Sequence, residues 1–270
     1  VVTGPPLLDV TDLSVAFHGR RGVVTAVDGV SFRLHEGEAL GIVGESGSGK
    51  TVTALSVVGL VPTPPAVMGE GSSIRYRGEE MVGASEARLR RLRGGEVGIV
   101  FQDPAQALNP VRTVGAQIVE TLRLDGPLSW ADARERASEL LAEFGIAHPA
   151  RQLDAYPHEF SGGMAQRAAL AIAMARNPAV LVADEPTTQL DPTVQGQILR
   201  LLRDLRERRN LALLLVSHDL GVVAGSCRRV LVMRRGQMVE DGPVEDVLRS
   251  PRHPYTRELL DSRSIALAGG

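Results

Sequence analysis

The sequence predicts an α/β fold: a parallel sheet flanked by helices, preceded by an antiparallel β segment and interrupted by a helical insert. Three observations lead there. Apolar, β-rich runs alternate with helical patterns along most of the chain. Several of those runs are apolar at successive positions, as expected for strands covered on both faces. Between about 104 and 160 the strand signal vanishes.

In chain order, residues 7–34 alternate apolar with polar, through Leu8, Val10, Leu13, Val15 and Phe17 and again in part of Ala26 to Leu34. That alternation marks antiparallel strands with one exposed face. Ala39 to Val43 reads as a strand entering a glycine-rich turn. Val97 to Phe101, Ala179 to Ala183, Leu211 to Val216 and Val230 to Met233 read as further strands. Val114 to Leu124 and Ser129 to Phe144 have helical patterns, with Ser129 placed to cap the second and Gly145 to stop it. Helical patterns return at Gly163 to Ala175, Val194 to Arg209 and Val244 to Arg249. The arginines from Arg200 to Arg209 are interleaved with Asp204 and Glu207, so a solvated helix face is favoured over a nucleic-acid patch. No internal repeat or low-complexity linker is visible.

A chain of 270 residues can bury about three-quarters of its unfolded surface. The formal charge of −2 gives no global attraction for nucleic acid or anionic lipid. No apolar run approaches the ~18 residues of a membrane span, and Val1 to Pro6 lack the regions of a signal peptide. The expectation is a soluble cytoplasmic protein. One cysteine, Cys227, leaves no internal disulfide and no cysteine-built metal cluster within one chain.

The cations are twenty-nine arginines and one lysine, and the lysine ends the run Gly44-Glu45-Ser46-Gly47-Ser48-Gly49-Lys50-Thr51. The pattern G-x-x-x-x-G-K-S/T is satisfied in full. Glycines let successive N–H groups turn inward around phosphate oxygens, and a helix starting near Lys50 points its donors and positive end at the same anion. Lysine reaches the β- and γ-phosphates as a compact point charge where a planar guanidinium would crowd the loop. Thr51 supplies a hydroxyl for Mg²⁺. Gly59 and Pro62 are stop signals for that helix. The strand ending in Asp184-Glu185 is the expected companion. Asp184 at its carboxyl end would hold Mg²⁺, and Glu185 is suited to polarising the water that attacks the γ-phosphate.

Phe160-Ser161-Gly162-Gly163-Met164-Ala165-Gln166-Arg167 closely resembles the signature of ABC-type ATPases, usually written Leu-Ser-Gly-Gly-x-x-Gln. By itself Ser-Gly-Gly could equally be a helix N-terminus. Gln102 in Val-Phe-Gln-Asp-Pro resembles the family's Q-loop, Leu190-Asp191 its D-loop, and His218 in Val-Ser-His-Asp its switch histidine. Taken singly, Gln102 could be a polar loop residue, Asp191 a helix cap before Pro192, and His218 a capping or core histidine. Six motifs in the family's order make the resemblance, which covers nearly the whole chain.

The resemblance implies a P-loop NTPase core with an N-terminal antiparallel β subdomain and a helical insert. The core would be about 1–103 and 161–250, the helical subdomain about 104–160 and a C-terminal tail about 251–270. It implies an ATPase acting as a head-to-tail dimer with two ATP molecules. Each would be bound by Gly44 to Thr51 of one subunit and by Ser161, Gly162, Gly163 and Gln166 of the other. Gln102 would contact Mg²⁺ or the attacking water, His218 the γ-phosphate, and Asp191 would couple the two sites. Lys50, Glu185 and His218 would be the catalytic residues, and Thr51, Gln102 and Asp184 the Mg²⁺ ligands. Phe17 is the candidate for stacking on adenine, with a core phenylalanine the competing reading.

A narrower resemblance is to the oligopeptide/dipeptide/nickel importers. It rests on Gly44 to Lys50, on Phe101-Gln102-Asp103-Pro104 followed by Leu108-Asn109-Pro110, and on His253-Pro254-Tyr255-Thr256. The excursion from Gly59 to Arg93 is similar to the first of their two paired ATPases. This implies two transmembrane permeases, a second ATPase (a paralogue favoured over an identical copy) and, indirectly, an extracytoplasmic solute-binding protein. No nucleic-acid partner is expected. The place would be the cytoplasmic face of the membrane, peripherally, with the 104–160 insert receiving a permease helix. Departures are Phe160 for Leu, Thr51 where Ser is frequent, Gln189 where a small residue is usual, and no cysteine-bearing tail. The last tilts the expectation slightly toward the shorter nickel or metal-chelate relatives, or toward a truncated chain. The alternatives are a non-transport ABC ATPase of DNA repair or translation, or a regulatory ATP-binding module. Intact Lys50, Glu185 and His218 argue against the latter.

Overall fold

The computed structural model describes residues 4–20, 22–103, 107–124 and 126–268, with 262–268 as backbone alone. The chain runs β1 (Leu8–Gly19), β2 (Gly22–Leu34), β3 (Ala39–Val43), α1 (Lys50–Val57), β4 (Ala66–Met68), β5 (Ser73–Tyr76), β6 (Glu79–Glu80) and α2 (Glu86–Arg91). A π-helical turn (Leu92–Glu96) leads to β7 (Val97–Val100), α3 (Val114–Leu122), α4 (Trp130–Glu143), α5 (Pro149–Gln152), a 3₁₀ turn (Pro157–Glu159), α6 (Gly162–Met174), β8 (Val180–Asp184) and α7 (Pro192–Arg209). It ends in β9 (Ala212–Ser217), α8 (Leu220–Ser226), β10 (Arg229–Arg234), β11 (Gln237–Pro243), α9 (Val244–Arg249) and α10 (Pro254–Ala268). Two compact units result, one up to Leu89 and again from Ala212, the other Arg90–Leu211.

The first unit holds two sheets. In the antiparallel one the order is β2-β1-β5-β6, with β4 also on β1. Leu8 lies opposite Leu34 and Tyr76, and Phe17 opposite Val24 and Ala66. Leu8, Val10, Leu13 and Val15 are buried, as are Val27, Val30, Phe32 and Leu34 across from them. The alternation therefore gives one buried face. The register slips between Val10 and Leu13, where Asp12 takes φ 48°.

In the other sheet β10 and β9 flank β3 in parallel, and β11 adds an antiparallel edge to β10. All five residues of β3 and all six of β9 are buried. Unbroken apolar runs become strands covered on both faces. One of those covers is α8, which comes so close that a Cβ on Gly41 would stand 2.2 Å from Val223 Cγ1.

The second unit pairs β7 with β8 in parallel, Val97 opposite Val180 and Val100 opposite Ala183. Helices α3, α4 and α6 begin at side-chain caps. Thr113 accepts from the Ala116 N–H (3.3 Å), Ser129 from Asp132 (3.1 Å) and Ser161 from Met164 (3.3 Å). On α4 the buried residues Ala133, Ala137, Leu140 and Leu141 form a single helical stripe. Gly145 stops that helix at φ 73°.

Two boundaries differ from the sequence reading by two residues. α7 starts at Pro192, not Val194, because proline suits the first helical position and Asp191 caps it. α3 ends at Leu122, two residues early. On α7 the buried positions are Ile198, Leu202 and Leu205, while Arg203 and Arg208 face solvent. Arg209 instead bridges to Glu143 at 2.6 Å and to Asn177. The arginine run is thus a helix face, with Arg209 tied to Glu143 and Arg206 paired with the adjacent Glu207 at 3.2 Å.

Gly41→Ala forces a methyl into the β3–α8 contact. It is expected to destabilise the chain by about 1–3 kcal/mol, read as a lower urea midpoint with the native circular dichroism retained.

Candidate active site

In the first unit β3 stops at Val43, which lies beside Val232 of β10 and Ser217 of β9. Three parallel strands thus end together where the glycine-rich loop begins. Gly44 takes φ 156° and its absent Cβ would stand 2.2 Å from the Met233 carbonyl oxygen. Gly49, at φ 102°, is pressed by the Ala26 carbonyl in the same way, at 2.4 Å. No side chain fits at either place. The turn after β10 backs the loop further, the Gly236 N–H donating to the Ser48 carbonyl (3.0 Å).

Lys50 opens α1 and is only 5% exposed, yet its Nζ donates at 2.8 Å to the carbonyls of both Gly44 and Glu45. The ammonium is held inside the curl of the loop, where an anion would collect it. Ser48 is buried as well, and its Oγ has no hydrogen-bond partner within the protein. Glu45, Ser46, Gly47 and Thr51 are exposed.

His218 follows Ser217 at the end of β9, one strand over from Gly44. It is exposed and neither a core histidine nor a cap. The cap of α8 is Asp219, which accepts from the Gly221 and Val222 N–H groups at 2.7 and 3.1 Å. Phe17 is half-buried beside Val24. Ala26, whose carbonyl touches Gly49, lies two residues further along the same strand, about 7 Å away.

In the second unit the parallel register puts the ends of β7 and β8 side by side, so Gln102 and Glu185 follow neighbouring strands. Gln102 Nε2 donates to Glu185 Oε2 at 3.3 Å, and Thr188 Oγ1 donates to the same oxygen at 2.8 Å. Glu185 itself takes φ 46°. Asp184 closes β8 and is 5% exposed. Ser161 and Gly162 are exposed at the start of α6 and Gly163 is half-buried there. Gln166 lies beneath them, buried, with Nε2 lacking a partner in the protein. A Cβ on Gly163 would meet Val194 Cγ1 at 2.7 Å, so the signature turn packs against the first turn of α7. Asp191 is the N-cap there, accepting from the Thr193 and Val194 N–H groups at 3.0 Å each.

Comparison with known proteins decides the family. The profile described as "ABC transporter" matches residues 27–188. The chain is 49% identical over 256 residues to a Sinorhizobium fredii protein named "Probable peptide ABC transporter ATP-binding protein y4tR", covering 95% of this chain and 76% of that one. It is 48% identical over 264 residues to the oligopeptide transport ATP-binding protein OppD of Bacillus subtilis, covering 98% and 74%. The chain belongs to the ABC transporter family. Among solved structures, the ATP-binding cassette MJ0796, a dimer in a post-hydrolysis state bound to ADP and Pi, matches with a TM-score of 0.78 at 26% identity, over 88% of this chain and 98% of that one.

The chain is accordingly an ABC ATPase with an ATP-binding cassette fold. Two contacts of this cassette were not read from its sequence. Thr188 orients Glu185, a pairing that only the turn after β8 creates. Tyr255, far along the chain, accepts a hydrogen bond from the Glu45 N–H. The sequence offered no more than the run His253 to Thr256 as a sign that this segment mattered.

Lys50→Ala removes the side-chain cation held inside the loop's curl. ATP affinity should fall about 10- to 100-fold, the worth of a charged hydrogen-bond set, as read by titration calorimetry.

Proposed function

We propose that this chain is the ATP-hydrolysing subunit of an ABC importer that takes up peptides. The observation that carries the ATP half is the loop itself. A buried lysine, an orphaned buried Ser48 hydroxyl and two glycines without room for a Cβ form a cradle whose donors await a phosphate tail. The importer half rests on the relatives. Two proteins at about half identity over at least 95% of this chain are both named for peptide transport. Their names favour peptides over nickel-type chelates as cargo.

In this reading Gly44 to Thr51 hold the triphosphate, Lys50 reaching its β- and γ-oxygens, with Phe17 against the adenine. Magnesium fits the donor set. The Thr51 hydroxyl, Asp184 carboxylate and Gln102 carbonyl are hard oxygens, few in number, as suits an ion that takes its remaining ligands from water and phosphate. When bound, the ion neutralises charge on the β- and γ-oxygens. Glu185 accepts a proton from the attacking water, its carboxylate kept in place by Thr188 and Gln102. His218 contacts the γ-phosphate. Ser161, Gly162 and Gly163 serve the ATP of a second subunit, Gln166 supporting that turn from below, and Asp191 couples the two sites.

The partners proposed are a second ATPase subunit, a paralogue by preference, two transmembrane permeases and, indirectly, an extracytoplasmic solute-binding protein. Among the described residues no helix is long and apolar enough to cross a membrane. A peripheral place on the cytoplasmic membrane face needs a docking surface instead. Residues 104–160 are proposed as the helical subdomain providing it. Val111 (79% exposed), Trp130 and Tyr156 offer apolar side chains for a permease helix, as does Phe101 just before it.

Glu185→Gln should keep ATP binding and lose about 10²- to 10⁴-fold in turnover, trapping a dimer visible by size exclusion; wild-type turnover would remove Glu185 from its role. A tagged chain drawn from gently solubilised membranes should bring two permeases and a second ATPase, identified by mass spectrometry. Recovery of only ribosomal or nucleic-acid factors would end the importer reading.

A further inference from the structure

The last helix of the first unit reaches back to the phosphate loop. Tyr255, in the first turn of α10, is 1% exposed, and its hydroxyl accepts a 3.0 Å hydrogen bond from the Glu45 N–H. The same peptide unit carries the Gly44 carbonyl, which receives Lys50 Nζ at 2.8 Å. One peptide plane is thus clamped at both ends, by lysine on its oxygen and by tyrosine on its nitrogen.

The tyrosine is itself fixed from several directions. The Arg234 guanidinium lies over its ring, 4.6 Å from the centroid, and faces Glu258 of α10 at 3.7 Å. Arg234 directly follows Met233, the residue whose carbonyl abuts Gly44. Glu240 of β11 fastens the entry to α10, its two oxygens accepting from the Arg252 and His253 N–H groups at 2.9 and 3.1 Å. His253 Nδ1 in turn accepts from the Tyr255 N–H at 3.1 Å. Burial pushes the Tyr255 phenol above its ordinary range, so the hydroxyl stays neutral across physiological pH.

The consequence appears when phosphate arrives. In the ATP-binding reading Lys50 would turn to the phosphates and give up the Gly44 carbonyl, which it now holds at 2.8 Å. The Met233 carbonyl walls Gly44 at its Cα, and the Tyr255 hydroxyl then holds the N–H end of the peptide whose oxygen the lysine has left. From this geometry we infer that Tyr255 is a positioning residue for the phosphate loop, and that the C-terminal segment sets the loop's affinity for nucleotide through it. The inference rests on the ATP-binding reading above. Losing the bond lowers the fraction of loops in the binding conformation, and the apparent Kd rises by the inverse of that fraction.

The test is Tyr255→Phe in the full chain, which keeps the ring and removes the hydroxyl. A fluorescent ATP analogue with Mg²⁺ gives the Kd, and hydrogen exchange followed by mass spectrometry reports the Glu45 amide. The expected result is a Kd raised about three- to tenfold, the span of one net hydrogen bond, with faster exchange at Glu45 in the nucleotide complex. An unchanged Kd overturns the inference even if the melting temperature falls, since a merely structural tyrosine would act on stability alone. A raised Kd with unchanged Glu45 exchange also overturns it, because the effect would then bypass the bond. Equal binding by the wild type and Lys50→Ala would instead bring down the ATP-site reading, so the two failures are separable.

Discussion

Backbone pressed against backbone at Gly44 and Gly49 is the contact on which the rest of the first unit turns. The Met233 and Ala26 carbonyls stand where a Cβ would have to be. The curl of the loop therefore depends on where β10 ends and how β2 passes, not on the loop's own residues alone. Those strand positions depend in turn on the register of β3, β9 and β10, whose side chains are buried on both faces. A shift of one residue between β3 and β10 would move the Met233 carbonyl out of the loop's wall. Phosphate binding is thus a property of sheet packing, expressed at the carboxyl ends of its strands.

The second unit solves a different problem, that of aiming a carboxylate. Glu185 leaves β8 in a left-handed conformation, uncommon for a residue with a side chain. The turn this creates brings Thr188 back onto the same carboxylate oxygen that Gln102 reaches from β7. Two donors from different elements fix the direction of the Glu185 side chain. The same economy recurs in the signature turn, where Ser161 caps α6 while Gly163 makes room for Val194. Asp191 caps α7 a few residues away. The capping readings and the motif readings of Ser161 and Asp191 are thus compatible, since a helix start presents N–H donors whatever its purpose.

Strands apolar at successive positions were legible from sequence because burial on both faces leaves compact apolar runs, told from buried helix by their length and β-branched residues. β3 matches its expected bounds, and β7, β8, β9 and β10 fall within about a residue of theirs. The strands that went unread were short or marginal. β5 has four residues and β6 two. β11 carries Glu240, Asp241, Gly242 and Pro243, residues tolerated there because it is an edge. Of the site, residue types with fixed spacing were legible, as in Gly44 to Thr51. Taken singly His218 read rather as a capping or core histidine, its switch reading came from the order of motifs, and the structure shows Asp219 taking the cap. The Tyr255 contact spans 210 positions of chain, a separation no local pattern encodes.

Lys50 also fixes how the chain responds to enzymes that cut after lysine. Within these 270 residues such a protease has one bond to cleave, Lys50–Thr51. That bond opens α1 and its lysine is tucked into the loop with 5% of its surface exposed. Cleavage requires this stretch to unfold locally before the protease can engage it. The rate of a single nick, parting β1, β2 and β3 from everything downstream, thereby becomes a clock for the opening of the phosphate loop alone.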